Sequence, residues 1–287
     1  MSLKSHFWPL KIASKMVLSR LPIGYGFWKK LGLFEWGAMD NHDYPINVFT
    51  LHKNKVFKGG LPEKWVGLEI GPGDSIASGM MAWAHGAQKT YLIDAGSFVS
   101  KDINFYKCLS RSFEDKGFKV PELSKANSFE DILNAHNIVY LTNGLDSLKS
   151  IPSEHVDFLW SHSVLEHVRA HEFNDLMVES ARCLKSRTGR ISHNIDLMDH
   201  LAKSLNNMRF KSTLWESDFW AKSGFYTNRL RASQILDAMT HAGLNITDLQ
   251  TGAWDKPPVP RDKIAPEFRT LSDKDLCIRT MHVTAQK

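Results

Sequence analysis

Two periodicities divide the chain. Near its start, Phe7, Leu10, Ala13, Val17 and Leu21 recur at helical spacing, with Lys11, Lys15 and Arg20 interleaved. The pattern predicts a basic amphipathic helix. The stretch LPIGYG at 21–26 breaks it, and a short aromatic helix is predicted over 27–34. From about residue 65 short apolar runs alternate with helical patterns. Strands are predicted at 65–70 (WVGLEI), 90–93 (TYLI), 138–141 (IVYL), 156–160 (VDFLW), 190–195 (RISHNI), 244–249 and 277–284. Helices are predicted at 76–84, 101–116, 172–184 and 232–242, the last closed by Gly243. Residues 197–230 show no clear period.

This alternation implies an α/β fold, a mostly parallel seven-stranded sheet with helices on both faces. The organisation that follows is an N-terminal helical cap at 1–55, a sheet domain at 56–287, and within it a substrate-side insertion at 197–230. Sheets of this kind bind ligands outside the carboxyl ends of their strands, so chemistry is sought there.

Composition narrows the class. The chain has 287 residues, 43% hydrophobic and 23% charged, which is ordinary for a globular protein. Its three cysteines are widely spaced with no CxxC, which argues against a zinc site or disulfide framework and for a reducing, cytoplasmic setting. Lysines and arginines break up the N-terminal pattern where a signal peptide would need an apolar run. The net charge of +5 is unevenly spread: residues 1–64 hold ten Lys/Arg against four Asp/Glu. That basic excess suits a solvated helix face, an anionic substrate, or peripheral contact of residues 1–30 with an anionic membrane. The near-neutral remainder, without a basic patch interleaved with aromatics, argues against a nucleic-acid partner.

Three stretches carry candidate chemistry. Leu68–Ser75 (LEIGPGDS) turns a strand into a helix. Gly71 and Gly73 there permit close approach of a ligand, and the helix start offers free N–H groups. A GxGxxG fingerprint would need glycine at position 76, where Ile76 stands, which counts against a dinucleotide. Asp94 ends the second strand, where a carboxylate either caps a turn or accepts both hydroxyls of a ribose. DFLWSHSVLEHV (157–168) delivers Ser161, His162 and Ser163 to the ligand edge.

With RCLKSRTGRIS (182–192), these stretches resemble, in order and spacing, the class I S-adenosylmethionine (SAM)-dependent methyltransferases. The VLEHV stretch looks most like the type 11 group. The resemblance covers about residues 65–195. It implies a Rossmann-like sheet whose last strand is antiparallel, with SAM across the first, second and fourth strand ends and S-adenosylhomocysteine as product. It assigns Glu69, Gly71, Gly73 and the adjoining Asp74 to the methionine side, and Asp94 to the ribose. Ser161, His162 and Ser163 fall near the methyl donor. The acid that such enzymes often place against adenine falls at Leu145, beside Asp146, leaving Asn143 and backbone as alternatives.

Methyl transfer from a sulfonium is an in-line displacement that needs a base only where the acceptor carries a proton. His193, Asp196 and His200, after the fifth strand, are the candidates; capping by Asp196 and core packing of one histidine remain open. Together with Asp199 they also offer mixed N/O ligands, but the resemblance implies no metal. Tyr226, Asn228 and Arg229 suit a pocket wall for an anionic acceptor, or structural packing. The expected activity is methylation of a small-molecule or saccharide acceptor. A non-catalytic scaffold docked through the N-terminal helix, and an RNA methyltransferase, are the alternatives.

Overall fold

The computed structural model describes Pro9, Ile12 and residues 41–287. The helices expected over 1–34 lie outside the described residues apart from Pro9 and Ile12. Both of these are helical, and Ile12 is buried against Leu201, Trp215, Phe225 and Tyr226.

Seven strands form one sheet: β1 (Trp65–Ile70), β2 (Ala87–Ile93), β3 (Ile138–Leu141), β4 (Phe158–His162), β5 (Arg190–Asp196), β6 (Asn245–Ala253) and β7 (Ile278–Gln286). Their order is β3-β2-β1-β4-β5-β7-β6, and β7 runs antiparallel to both its neighbours. This is the Rossmann-like sheet that the resemblance implied, last strand included. The described helices are α1 (Asp43–Val56), α2 (Ala77–Ala84), α3 (Ile103–Asp115), α4 (Phe129–Ala135), α5 (Gly144–Lys149), α6 (Phe173–Cys183), α7 (Ser212–Trp215), α8 (Asp218–Ala221), α9 (Ala232–His241) and α10 (Asp273–Cys277).

Alternate residues of the buried strands feed two cores. Leu68, Ile70, Leu159, Ile191 and Ile195 pack with Leu148, Phe173, Met177 and Ile235 from α5, α6 and α9. Trp65, Leu92, Phe158 and Trp160 pack on the other face with Phe49, Met80, Tyr106, Leu109 and Ile132 from α1 to α4. Local signals set the helix starts. Asp102 caps α3 by accepting from the Asn104 and Phe105 amides at 2.9 and 3.3 Å, and Ser128 with Asp131 forms a capping box on α4.

Helix α1 was not anticipated. The boundary drawn at 55/56 falls at its end, yet Phe49 lies in the sheet's own core, stacked near Trp65 at 6.2 Å and edge-on to Trp160 at 5.5 Å. The aperiodic segment 197–230 is built from a 3-10 turn (Asn206–Arg209) and the one-turn helices α7 and α8, gathered on Trp215. No helix among the described residues is long and apolar enough to cross a membrane.

One buried cation joins the insertion side to the sheet. Arg231, 1% exposed at the start of α9, donates to the carbonyls of Leu197 (2.8 Å), Asp275 (3.1 Å) and Ile278. It thereby ties together the ends of β5, α10 and β7. Replacing Arg231 with Met keeps much of the volume but strips three buried carbonyls of their donor. The expected loss is about 3 kcal/mol or more of unfolding free energy, read as a lower urea midpoint. An unchanged midpoint would mean that those carbonyls find other partners.

Candidate active site

The carboxyl ends of β1, β2 and β4 open onto a cleft of about 330 Å³. Its floor is apolar, with Ile70, Ile93, Leu145, Leu148, Val164 and Leu176, and Asp94 stands at its wall. The turn after β1 shapes one side. Gly71 and Gly73 have φ of +73° and +74°, which side chains rarely tolerate. Gly71 has a second constraint: its amide donates to the Ile93 carbonyl at 2.7 Å, and a Cβ on it would lie 2.4 Å from Val164 Cγ2. The missing methyl therefore makes room for the turn after β4, where the sequence suggested room for a ligand.

Asp94 closes β2. Ala95 N–H donates to its Oδ1 at 2.7 Å. Burial raises its pKa to about 6, against the backbone N–H groups of Ala95 and Gly73, which hold it down. Gly144 N–H donates to the Asp94 carbonyl at 2.8 Å and so fixes the start of α5 against β2. Leu145 lines the cleft, whereas Asn143 is exposed at the helix cap and Asp146 faces solvent and pairs with Lys149 at 3.4 Å. The position where the methyltransferases that the chain resembles often place an acid against adenine therefore presents the apolar side chain of Leu145.

The other donor-side residues separate onto the two faces of the sheet. Glu69 is buried under α2, where Ser78 donates its hydroxyl to the carboxylate; burial raises its pKa to about 7. Asp74 is buried in the turn, its carbonyl accepting from Ser100 N–H at 2.8 Å. His162 points toward α1: its Nδ1 and His52 Nε2 are 3.1 Å apart, His52 Nδ1 lies 2.8 Å from Ser192 Oγ, and that hydroxyl lies 2.8 Å from His282 Nε2. Burial, and then the neighbouring His162 and His282, hold the His52 pKa well below its usual value, so this chain of imidazoles is uncharged at neutral pH. His52, hidden in the region read as a cap, was missed from the sequence. Ser163 has a left-handed φ of +54°, donates its N–H to the Asn194 carbonyl at 2.8 Å, and lines the cleft.

On the acceptor side, the three candidates part company. His193 is fully buried and shares a 2.7 Å hydrogen bond with Ser161 through Nδ1; burial takes its pKa to about 3. Neither residue is among those lining the cleft. A ring this buried and this weakly basic does not fit the role of base. Asp199 is consumed by the backbone, accepting from the amides of Leu201, Ala202 and Asn206 at 3.0, 2.6 and 2.6 Å. Asp196, half-buried with its pKa raised by burial, and His200 instead meet a dipeptide that the sequence reading quoted only as a signature, Glu166-His167. The His167 and His200 rings meet edge-on at 4.8 Å between centroids, and His167 lines the cleft. Glu166 is 3% exposed, neither carboxylate oxygen has a hydrogen-bond partner, and its pKa rises to about 8 through burial and then the nearby Asp196 charge.

Tyr226, Asn228 and Arg229 lie behind this dipeptide and do not line the cleft. Asn228 donates through Nδ2 to the carbonyls of Leu165 (2.7 Å) and Val168 (2.9 Å), and through its amide to that of Glu166 (2.7 Å). The Tyr226 carbonyl accepts from His167 Nδ1 at 3.0 Å, and its phenol donates to Glu216 at 2.7 Å. Arg229 is buried against Trp215 and Phe268 and donates to the Phe210 carbonyl and the Ser212 hydroxyl. Its guanidinium is held by protein rather than offered to an anionic acceptor. Of the two uses open for these residues, pocket wall or structural packing, the contacts are those of packing: they bracket the segment after β4.

No family model and no curated protein matches the sequence. The fold has counterparts among solved structures. A SAM-dependent methyltransferase from Methanosarcina mazei superposes with a TM-score of 0.49 and 14% identity, covering 80% of this chain and 96% of that one. One from Mesorhizobium loti gives 0.46 and 14%, covering 87% and 100%. The geranyl diphosphate C-methyltransferase of Streptomyces coelicolor, solved with Mg2+, geranyl diphosphate and S-adenosylhomocysteine, gives 0.47 and 12%, covering 94% and 87%. These are likenesses of fold.

The Gly71–Val164 contact is directly testable. Gly71→Ala combines a disfavoured φ with a collision and should cost about 2 kcal/mol, lowering Tm by roughly 4–8 °C. Gly59→Ala, which meets nothing within 4 Å, is the control and should leave Tm unchanged. Equal Tm values for the two variants would show that the turn after β4 yields freely.

Proposed function

We propose that this chain is a SAM-dependent methyltransferase acting in the cytoplasm on a hydroxyl or amine of a small-molecule or saccharide acceptor. The observation that carries this reading is the cleft itself. An apolar floor sized for a purine nucleoside, one carboxylate at the end of β2 and a two-glycine turn at the end of β1 meet at the carboxyl edge of one parallel sheet.

The residues fit the donor. Asp94 would accept from a ribose diol; burial raises its pKa against the N–H groups of Ala95 and Gly73, and a diol would add two further donors to its ionised form. Leu145, Leu148, Val164 and Leu176 offer apolar contact to a purine. Gly71 and Gly73, with Glu69 and Asp74 behind them, shape the side assigned to the amino-acid end. When bound, SAM supplies an activated methyl on a sulfonium, so the protein's work is alignment and exclusion of water. Asp196 and His200 do not line the cleft but neighbour His167, which does, and in this reading they serve the acceptor. The basic N-terminus, for which a solvated helix face, an anionic substrate and an anionic membrane surface were all open, lies outside the described residues apart from Pro9 and Ile12.

A diol bonds to the ionised form of Asp94, so affinity for S-adenosylhomocysteine should be full above about pH 7. It should weaken as pH falls through about 6, approaching tenfold per unit below that. Asp94→Asn should weaken binding at least tenfold at pH 8 and flatten the pH dependence. Titration calorimetry with S-adenosylhomocysteine from pH 5 to 8, with NAD in parallel, measures both. Wild-type affinity in Asp94→Asn, or binding of NAD in place of S-adenosylhomocysteine, would remove the reading.

A further inference from the structure

We propose that Glu166, His167 and His200 form a binding site for a divalent transition-metal ion, of the Mn2+, Co2+ or Zn2+ kind, at the wall of the cleft. One ligand atom from each residue lies within 4.8 Å of the other two. Atoms sharing an ion at about 2.1 Å stand about 3–4 Å apart, so the cluster closes on a cation with shifts of under about an ångström.

Three independent features support a ligand here. The first is the Glu166 carboxyl, which is 3% exposed and has no partner at hydrogen-bond geometry on either oxygen. The backbone N–H groups of Glu166 and Asp196 approach it closely enough only to hold its pKa down in part. A buried carboxylate in that condition is costly, and an ion is one of the few things that satisfies it. The second is the tautomer of His167. Its Nδ1 faces the Tyr226 carbonyl at 3.0 Å, an acceptor, so the proton sits on Nδ1 and Nε2 carries the lone pair. A backbone carbonyl on the distal nitrogen is the usual outer support of a metal-bound histidine. The third is the bracketing of the dipeptide. Asn228 fixes the carbonyls of Leu165, Glu166 and Val168, which gives the rigidity a preorganised site requires.

The donor set selects the ion. Two imidazole nitrogens and one carboxylate oxygen suit first-row transition metals better than Mg2+ or Ca2+, which prefer oxygen alone. Asp196, close enough to raise the Glu166 pKa, supplies further negative charge. Because His167 also lines the cleft, a remaining coordination position would be open to an acceptor hydroxyl. That role rests on the methyl-donor reading; metal binding does not.

The test uses tag-free full-length protein, stripped of metal, titrated with Co2+ in the absence of any nucleoside and followed by visible absorption. Wild type should bind one equivalent with a ligand-field spectrum. His200→Ala and Glu166→Gln should each weaken binding at least tenfold, while His241→Ala, an exposed histidine on α9, should not. Should Glu166→Gln fail to fold, His200→Ala decides. Equal Co2+ affinity in wild type and His200→Ala, or no binding by wild type, overturns the site. S-adenosylhomocysteine binding, measured separately on wild type and His200→Ala, keeps the two readings apart. If wild type fails to bind the nucleoside, the donor cleft falls and the metal result stands.

Discussion

The contact between Gly71 and Val164 is the constraint on which the site is built. Strands β1 and β4 are neighbours, so the chain leaving each must pass the other within one strand spacing. Only a residue without Cβ, in a left-handed conformation, lets the turn after β1 lie flat enough for Val164 to seat beside it. The same turn carries Gly73 on to α2, and its amide at Gly71 ties β1 to the end of β2, where Asp94 begins. Val164 then serves as cleft floor. Ser163, left-handed in turn and bonded to Asn194, directs the next residues away from the sheet toward the insertion.

The insertion completes what the sheet begins. A chain leaving β4 in a short 3-10 turn exposes carbonyls with no helical partner. Asn228 supplies their donors, Tyr226 supplies an acceptor to His167, and Arg169 reaches back to the insertion through Asp218 at 3.3 Å and Glu216 at 3.8 Å. Trp215, Phe225 and Tyr226 provide the apolar area that makes this rigid, and Ile12 packs on it. The segment 197–230 and Glu166-His167 hold each other in place, because each supplies hydrogen bonds to the other.

Legibility followed burial. WVGLEI was readable to its limits because five of its six residues are buried and polar or turn residues bound it. Strand β2 begins three residues earlier than the apolar run, since Gln88 and Lys89 are exposed and leave no hydrophobic trace. Helix α1 buries only Pro45, Val48, Phe49 and His52 among fourteen residues, so Asn47, Lys53, Asn54 and Lys55 masked its period. That Gly71 and Gly73 make the turn after β1 and that Asp94 closes β2 was readable because backbone conformation and strand ends dictate such residue types. Tyr226, Asn228 and Arg229 left a pocket wall and structural packing equally open, because polar side chains in a loop look alike whether they face a ligand or a buried carbonyl. Only the fold reveals that theirs are spent on Leu165, Val168 and Phe210.

The histidines make the same point with opposite consequences. His193 and His200 are seven residues apart and equally titratable on paper. Strand alternation turns His193 into the α6 and α9 face, where Ser161 on the neighbouring strand meets it and burial holds it neutral. His200 lies beyond β5, where alternation no longer applies and Asp199, spent on three amides, sets the loop's path. That loop brings His200 to His167 rather than to the core. Whether a histidine ends in the core or beside the cleft here depends on whether its backbone is still in the sheet when the chain reaches the strand ends. The residues one turn past a strand end, Glu166-His167 after β4 and His200 after β5, are the ones free to converge.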